Sequence, residues 1–147
     1  MSTTNEEDQR EALRLQKRLQ DTSSDEGGPD SGKRVPNVSI ESGTYKYVLI
    51  SAVLPGGGER QHFVVSGRGE YHRNVAENFV PSLEQTGYSS IRILGGGRIA
   101  LDDAKKTISI YGYSYGFGLA DHALSKSVVQ RDDRYKDFKI TWSNEGY

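Results

Sequence analysis

The chain has 147 residues, room for one domain with a single hydrophobic core, and its 19 Lys and Arg against 20 Asp and Glu leave a formal net charge of −1. Near-neutral charge with scattered basic residues gives no electrostatic footprint for non-specific nucleic-acid binding. The lack of cysteine excludes disulfides, thiolate zinc sites and any cysteine-phosphatase mechanism, and no run is long and apolar enough to span a bilayer.

Residues 1–36 are poor in core formers: after Met1 their only sizeable aliphatics are Leu13, Leu15, Leu19 and Val35. Such a stretch is expected to be a disordered, charged extension. Residues 6–21 are good helix formers, with Glu7/Glu11 and Arg14/Arg18 at helical spacing, so a solvated helix with little to pack on is the regular element expected there. No apolar run follows Met1 and acidic residues come early, unlike a targeting peptide, which makes the cytoplasm the expected compartment.

Residues 37–147 read as the folded domain. Residues 45–53 are β-branched and aromatic with apolar groups on both faces, as in a central strand. Lys46 is the exception, placed where its stem can bury and its ammonium can emerge at the sheet rim; it either snorkels or binds. After a turn at residues 55–58, residues 61–66 supply a second strand, paired as a hairpin. Residues 71–87 form a helix whose apolar stripe is Val75, Ala76, Phe79, Val80 and Leu83, with a kink or restart expected at Pro81. Three strands follow at 90–94, 98–102 and 107–113, the first two divided by a turn at Gly95-Gly96-Gly97 and the last two forming a hairpin. Residues 119–130 make a second amphipathic helix, and Phe138, Ile140 and Trp142 alternate as a terminal strand. The predicted class is α+β, with a mixed, largely antiparallel sheet of about six strands flanked by two main helices.

The stretch from Tyr111 to Gly118 is a glycine-rich turn leading from a strand towards a helix. Converging backbone N–H groups, the Ser114 hydroxyl and a helix N-terminus suit an anion such as phosphate, although the same glycines also serve a plain connection that needs positive φ. His72 opens a helix on the face of Val75, Ala76 and Phe79, where the dipole favours neutral imidazole, able to accept a proton or simply to pack the first turn. His122, early in the next helix, is suited to packing or to orienting a neighbour. Arg98, after the glycine triplet, is either a solvated rim residue or a bidentate phosphate ligand. His62 has no companion at metal-ligand spacing, so no metal is expected.

Together the segments Thr44-Tyr-Lys-Tyr-Val-Leu-Ile50, Glu70-Tyr-His72, Leu94-Gly-Gly-Gly-Arg-Ile99, Tyr111-Gly-Tyr-Ser114, Ala120-Asp-His-Ala123 and Thr141-Trp-Ser-Asn-Glu-Gly-Tyr147 resemble the janus/ocnus family, which includes protein phosphohistidine phosphatases. The resemblance runs from about Val38 to the C-terminus. It implies metal-independent hydrolysis of phosphate from phosphohistidine in proteins, with no cofactor and with phosphohistidine-containing proteins as partners; a monomer is the expected state. It implies a catalytic role for His72, as general base or as nucleophile. Lys46, Ser114, Tyr115 and Gly116 are implied as substrate-binding residues, and Arg98 and His122 as supporting ones. Ser66 departs from the arginine of some members, with Arg68 nearby. The alternative within the same family is a noncatalytic phosphoprotein-binding or regulatory protein of the janus type, acting in development or sexual differentiation.

Overall fold

Gly43–Val53 forms the central strand, β2, because both of its faces are apolar: Tyr47, Val48, Leu49, Ile50 and Ala52 are all fully buried. In the computed structural model, which describes residues 4–22 and 32–145, β2 pairs antiparallel with β3 (Arg60–Gly67, counting β1 as Val38–Ser39) and with β4 (Ser89–Asp102). β5 (Thr107–Tyr111) extends the sheet antiparallel to β4, while β1 and β6 (Lys139–Trp142) join the two edges in parallel, for the order β1-β3-β2-β4-β5-β6. The class is α+β as expected, but the sheet is mixed rather than largely antiparallel. Reading neighbouring strands as hairpins recovers the centre of the sheet and misses both parallel edges, one of which, β1, is too short to show any periodicity.

Among the described residues three α-helices, not two, cover the sheet. α1 (Thr4–Thr22) and α2 (His72–Thr86) pack on the face of Val48, Ile50 and Ala52; α3 (His122–Gln130) packs on the face of Tyr47 and Leu49. α2 runs unbroken through Pro81 instead of restarting there, since Pro81 lies on the exposed side, where water can replace the lost helical bond. Gly87 ends α2 at φ 102° and donates back to Leu83 and Glu84.

α1 corrects the picture of a helix with nothing to pack on. Ala12, Leu15 and Leu19, spaced along one helical face, are 0%, 8% and 2% exposed, and the two leucines join Val75, Leu83 and Ile93 in one core. The Gln16 amide grips Ile93 on both sides, donating to its carbonyl at 2.6 Å and accepting its N–H at 3.3 Å, where β4 runs past the end of β5. The rest of the extension falls partly outside the described residues; at its end Val35 is held by the Tyr88 hydroxyl and the Gln61 amide.

The glycine triplet is likewise no turn. Residues 89–102 form one strand that bulges at Leu94, so that Leu49 pairs with Gly95 and Ile50 with Ile93. Glycine is required there by close approach. A Cβ on Gly96 would lie 2.7 Å from the Tyr47 carbonyl and 2.8 Å from the His72 ring, and one on Gly97 would lie 2.8 Å from the His122 ring. The last helix also begins later than the sequence predicts: Leu119 bridges Gly96 in parallel, and Asp121 caps α3 by accepting the Leu124 N–H at 3.0 Å.

Candidate functional site

Strand alternation sorts the candidates by face. Lys46 shares the Val48 and Ile50 side of β2, and its direct partner on β4 is Arg98. Gly96, two residues along from Arg98, pairs with Val48 and so belongs to the same face. The place a Gly96 side chain would take is filled by the His72 ring from α2 and by the Ser114 Cβ, 2.8 Å and 3.1 Å from where a Gly96 Cβ would stand. β2, β4, the first turn of α2 and the loop after β5 thus bring Lys46, Arg98, His72 and Ser114 to one end of one sheet face.

His72 is 2% exposed and its Nε2 lies 2.8 Å from the Gly97 carbonyl. A carbonyl only accepts, so Nε2 carries the proton and the neutral ring keeps its lone pair on Nδ1. Burial, with the nearby charges of Lys46 and Arg98, lowers the His72 pKa to about 4 against the opposing Gly97 bond. The Lys46 ammonium is pushed below its ordinary range by burial and by Arg98, with Asp8 and Glu70 opposing. A neutral acceptor beside two cations is a setting for proton transfer to, or attack by, Nδ1 next to a bound anion.

The loop is closed on itself. The Ser114 N–H donates to the Gly118 carbonyl at 3.1 Å, the Gly118 N–H returns to the Ser114 carbonyl at 2.8 Å, and the Ser114 hydroxyl accepts the Phe117 N–H at 3.0 Å. Ser114 therefore braces the loop, and Tyr115 and Gly116 form its tip. That tip meets α1: a Cβ on Gly116 would stand 2.7 Å from the Ala12 methyl, and the Gln9 amide donates to the Tyr115 carbonyl at 3.3 Å.

His122 lies behind the site, on the α3 face. Its Nε2 donates to the Gly112 carbonyl at 2.7 Å, its Nδ1 accepts the Tyr47 hydroxyl at 2.6 Å, and that hydroxyl also bonds Ser125 at 3.0 Å. It anchors the start of the loop from across the sheet and does not join Lys46 and His72. Ser66 pairs with Tyr47 on that same face and accepts the Glu41 N–H, while the Arg68 guanidinium sits 5.6 Å over the Tyr45 ring.

Two residues at this end of the sheet escape a reading of the sequence. Asp8 of α1 is 4% exposed, its carboxylate 3.5 Å from the Arg73 guanidinium, which stacks 4.5 Å over Tyr71. Burial pushes the Asp8 carboxyl up, and Arg73 and Lys46 oppose that shift. The available signal is positional: Asp8, Ala12, Leu15 and Leu19 recur on one helical face, so Asp8 is the polar member of a buried stripe. Among the described residues no three His, Asp or Glu side chains converge as a metal-binding set, and no helix is long and apolar enough to cross a membrane. A groove of about 610 Å³ lined by Arg34, Arg60, His62 and Arg131 lies elsewhere and includes none of the candidate residues.

Residues 32–139 match the model of the Janus/Ocnus family. The 14 kDa phosphohistidine phosphatase of Sus scrofa is 37% identical over 121 residues, covering 78% of this chain and 94% of that protein. The protein of the same name from Homo sapiens is 36% identical over 120 residues, covering 77% and 94%. The sex-regulated protein janus-A of Drosophila pseudoobscura pseudoobscura is 38% identical over 120 residues, covering 78% of each chain. The family match begins after α1.

Proposed function

The chain belongs to the Janus/Ocnus family, and from that premise we propose that it removes phosphate from phosphohistidine in proteins, without a metal, in the cytoplasm and as a monomer. The observation that carries the reading is the convergence of His72, Lys46, Arg98 and Ser114 at one end of one sheet face, where the His72 ring and Ser114 pack against Gly96. Phosphoryl transfer asks mainly for positioning and charge stabilisation. Lys46 and Arg98 supply positive charge for the equatorial oxygens, and the backbone at Ser114, Tyr115 and Gly116 is the proposed second wall. His72 Nδ1 takes a proton from water as the water oxygen bonds to phosphorus; the P–N bond breaks, and the departing imidazole takes up a proton. In the competing route the same lone pair attacks phosphorus directly as the substrate's P–N bond breaks and its imidazole leaves with a proton, and water then hydrolyses the transient phospho-His72. His122 holds the loop through Gly112 in either case.

His72→Ala tests this on a phosphohistidine peptide without added metal, with phosphoserine and phosphotyrosine peptides as controls. Loss of about a hundredfold or more in turnover, with the fold retained, is expected for a proton-transfer residue; undiminished turnover would remove the assignment. A second reading is favoured by the relatives themselves, since the janus-A protein is as similar as the phosphatases. On that reading the pocket binds phosphoprotein without turning it over, and binding without phosphate release by the unaltered chain would select it.

A further inference from the structure

The proposed phosphate site is not open. α1 lies across it: Ala12 packs on Gly116, Gln9 holds the Tyr115 carbonyl, and Asp8 brings its carboxylate between the loop and Arg73, with Oδ2 3.6 Å from the position of a Gly116 Cβ and Oδ1 3.5 Å from the guanidinium. Asp8 itself is 4% exposed there.

The choice of residue is informative. Leu15 and Leu19 of the same stripe are apolar and join the core, and Ala12 packs on Gly116, whereas the position lying over the cationic end of the sheet is a carboxylate. A desolvated carboxylate with one long contact to one arginine is a poor way to hold a helix in place, and an apolar residue would dock at least as well. What the carboxylate does supply is an anion beside Lys46, Arg73 and a glycine-containing loop. The helix that presents it lies outside residues 32–139, the part of the chain that the family shares.

We propose that α1 is an autoinhibitory strap whose Asp8 carboxylate occupies the anion site formed by Lys46, Arg73 and the Ser114–Gly118 loop, so that a phosphorylated substrate binds only after α1 lifts. The proposal rests on the reading of that site as the phosphate site, and it adds Arg73 as an anion-binding residue. The strap is held by separable contacts: the Leu15 and Leu19 side chains, the paired Gln16 bonds to Ile93 and the Arg18–Glu84 ion pair at 3.4 Å. A partner that took the apolar face of α1 would free the site without altering it.

The test uses the full chain, Asp8→Asn and, as a variant remote from the anion site, Gln16→Ala. Affinity for inorganic phosphate is measured by titration calorimetry and kcat/KM on a phosphohistidine peptide. Asp8→Asn is expected to bind phosphate at least fivefold more tightly and to raise kcat/KM similarly, with Gln16→Ala moving both in the same direction. Equal phosphate affinity in all three proteins overturns the strap while leaving the phosphate site intact. Reduced turnover in Asp8→Asn with unchanged phosphate affinity also overturns it, since Asp8 would then serve the reaction. Failure of all three to bind phosphate or release it removes the site reading, and the strap with it.

Discussion

The Nε2–H of His72 donates to the Gly97 carbonyl at 2.8 Å, which fixes the tautomer and leaves the ring's lone pair on Nδ1. The same burial that lowers the His72 pKa to about 4 sets a pH signature on stability. Between about 4 and 6.5 the unfolded chain binds a proton that the folded chain refuses, so stability rises with pH across that window and is lost as pH falls through it. His122, lowered by burial as well, acts in the same direction. Urea denaturation of the wild type and His72→Gln at pH 7 and pH 4 separates the two histidines. The wild type should lose more stability than the variant, by on the order of 3 kcal/mol; equal losses would show that His72 is not buried neutral.

Gly96 and Gly97 support opposite faces of one strand and should fail differently when filled. Gly96→Ala places a methyl against the Tyr47 carbonyl, the His72 ring and Ser114, whereas Gly97→Ala places one against the Tyr111 carbonyl and His122. Each should cost about 1–3 kcal/mol or more in urea denaturation from overpacking. In the variants that still fold, Gly96→Ala should reduce turnover of a phosphohistidine peptide more per unit of lost stability. Equal loss would mean that the Gly96 face is not where substrate sits.

Much of this arrangement is legible in the sequence where its causes are local. The apolar faces of β2, β3 and α2 follow from residue type and spacing, and Lys46 and His72 fall at the rim because each interrupts an apolar pattern at the end of an element. What escapes has a remote cause. The glycine triplet looks like a turn because glycine usually punctuates, yet it is strand, held open for the backbone of Leu119 and Ala120 and for two histidine rings from different helices. His122 reads as suited to packing or to orienting a neighbour, and only the place of α3 on the far face shows that the neighbour is Tyr47. α1 looks solvated because its charges outnumber its leucines, and its docking depends on an edge of β4 some 77 residues away from Gln16.

Lys46 offers a test of charge at the site. Lys46→Ala should raise KM roughly ten- to a hundredfold, the loss expected for a hydrogen bond between charged groups, with a smaller change in kcat. Steady-state kinetics on a phosphohistidine peptide reads both quantities. An unchanged KM would remove Lys46 from the substrate.

Tyr47→Phe probes the support behind the loop. The change removes the donor to His122 Nδ1 and the bond to Ser125, leaving two buried polar groups without this partner. Chemical denaturation should show a loss of about 1–3 kcal/mol, and turnover should fall only as far as the Gly112 anchor loosens. A stability equal to that of wild type would show that the Tyr47–His122 contact does not hold α3 to the sheet.

Leu19→Ala decides whether α1 is a docked element or a solvated one. Leu19 is 2% exposed and belongs to the core that includes Val75, Leu83 and Ile93, so truncation leaves a cavity worth about 2–5 kcal/mol if the site cannot collapse. The helix has a way out that an internal core residue lacks, because it can leave the sheet before the domain unfolds. The loss of global stability should therefore stop at the free energy of docking, while amide exchange in α1 accelerates and exchange in β2 and β4 changes little. Exchange in α1 that is already unprotected in the wild type, with no effect of the substitution, would return the helix to solvent and leave Asp8 without a role at the site.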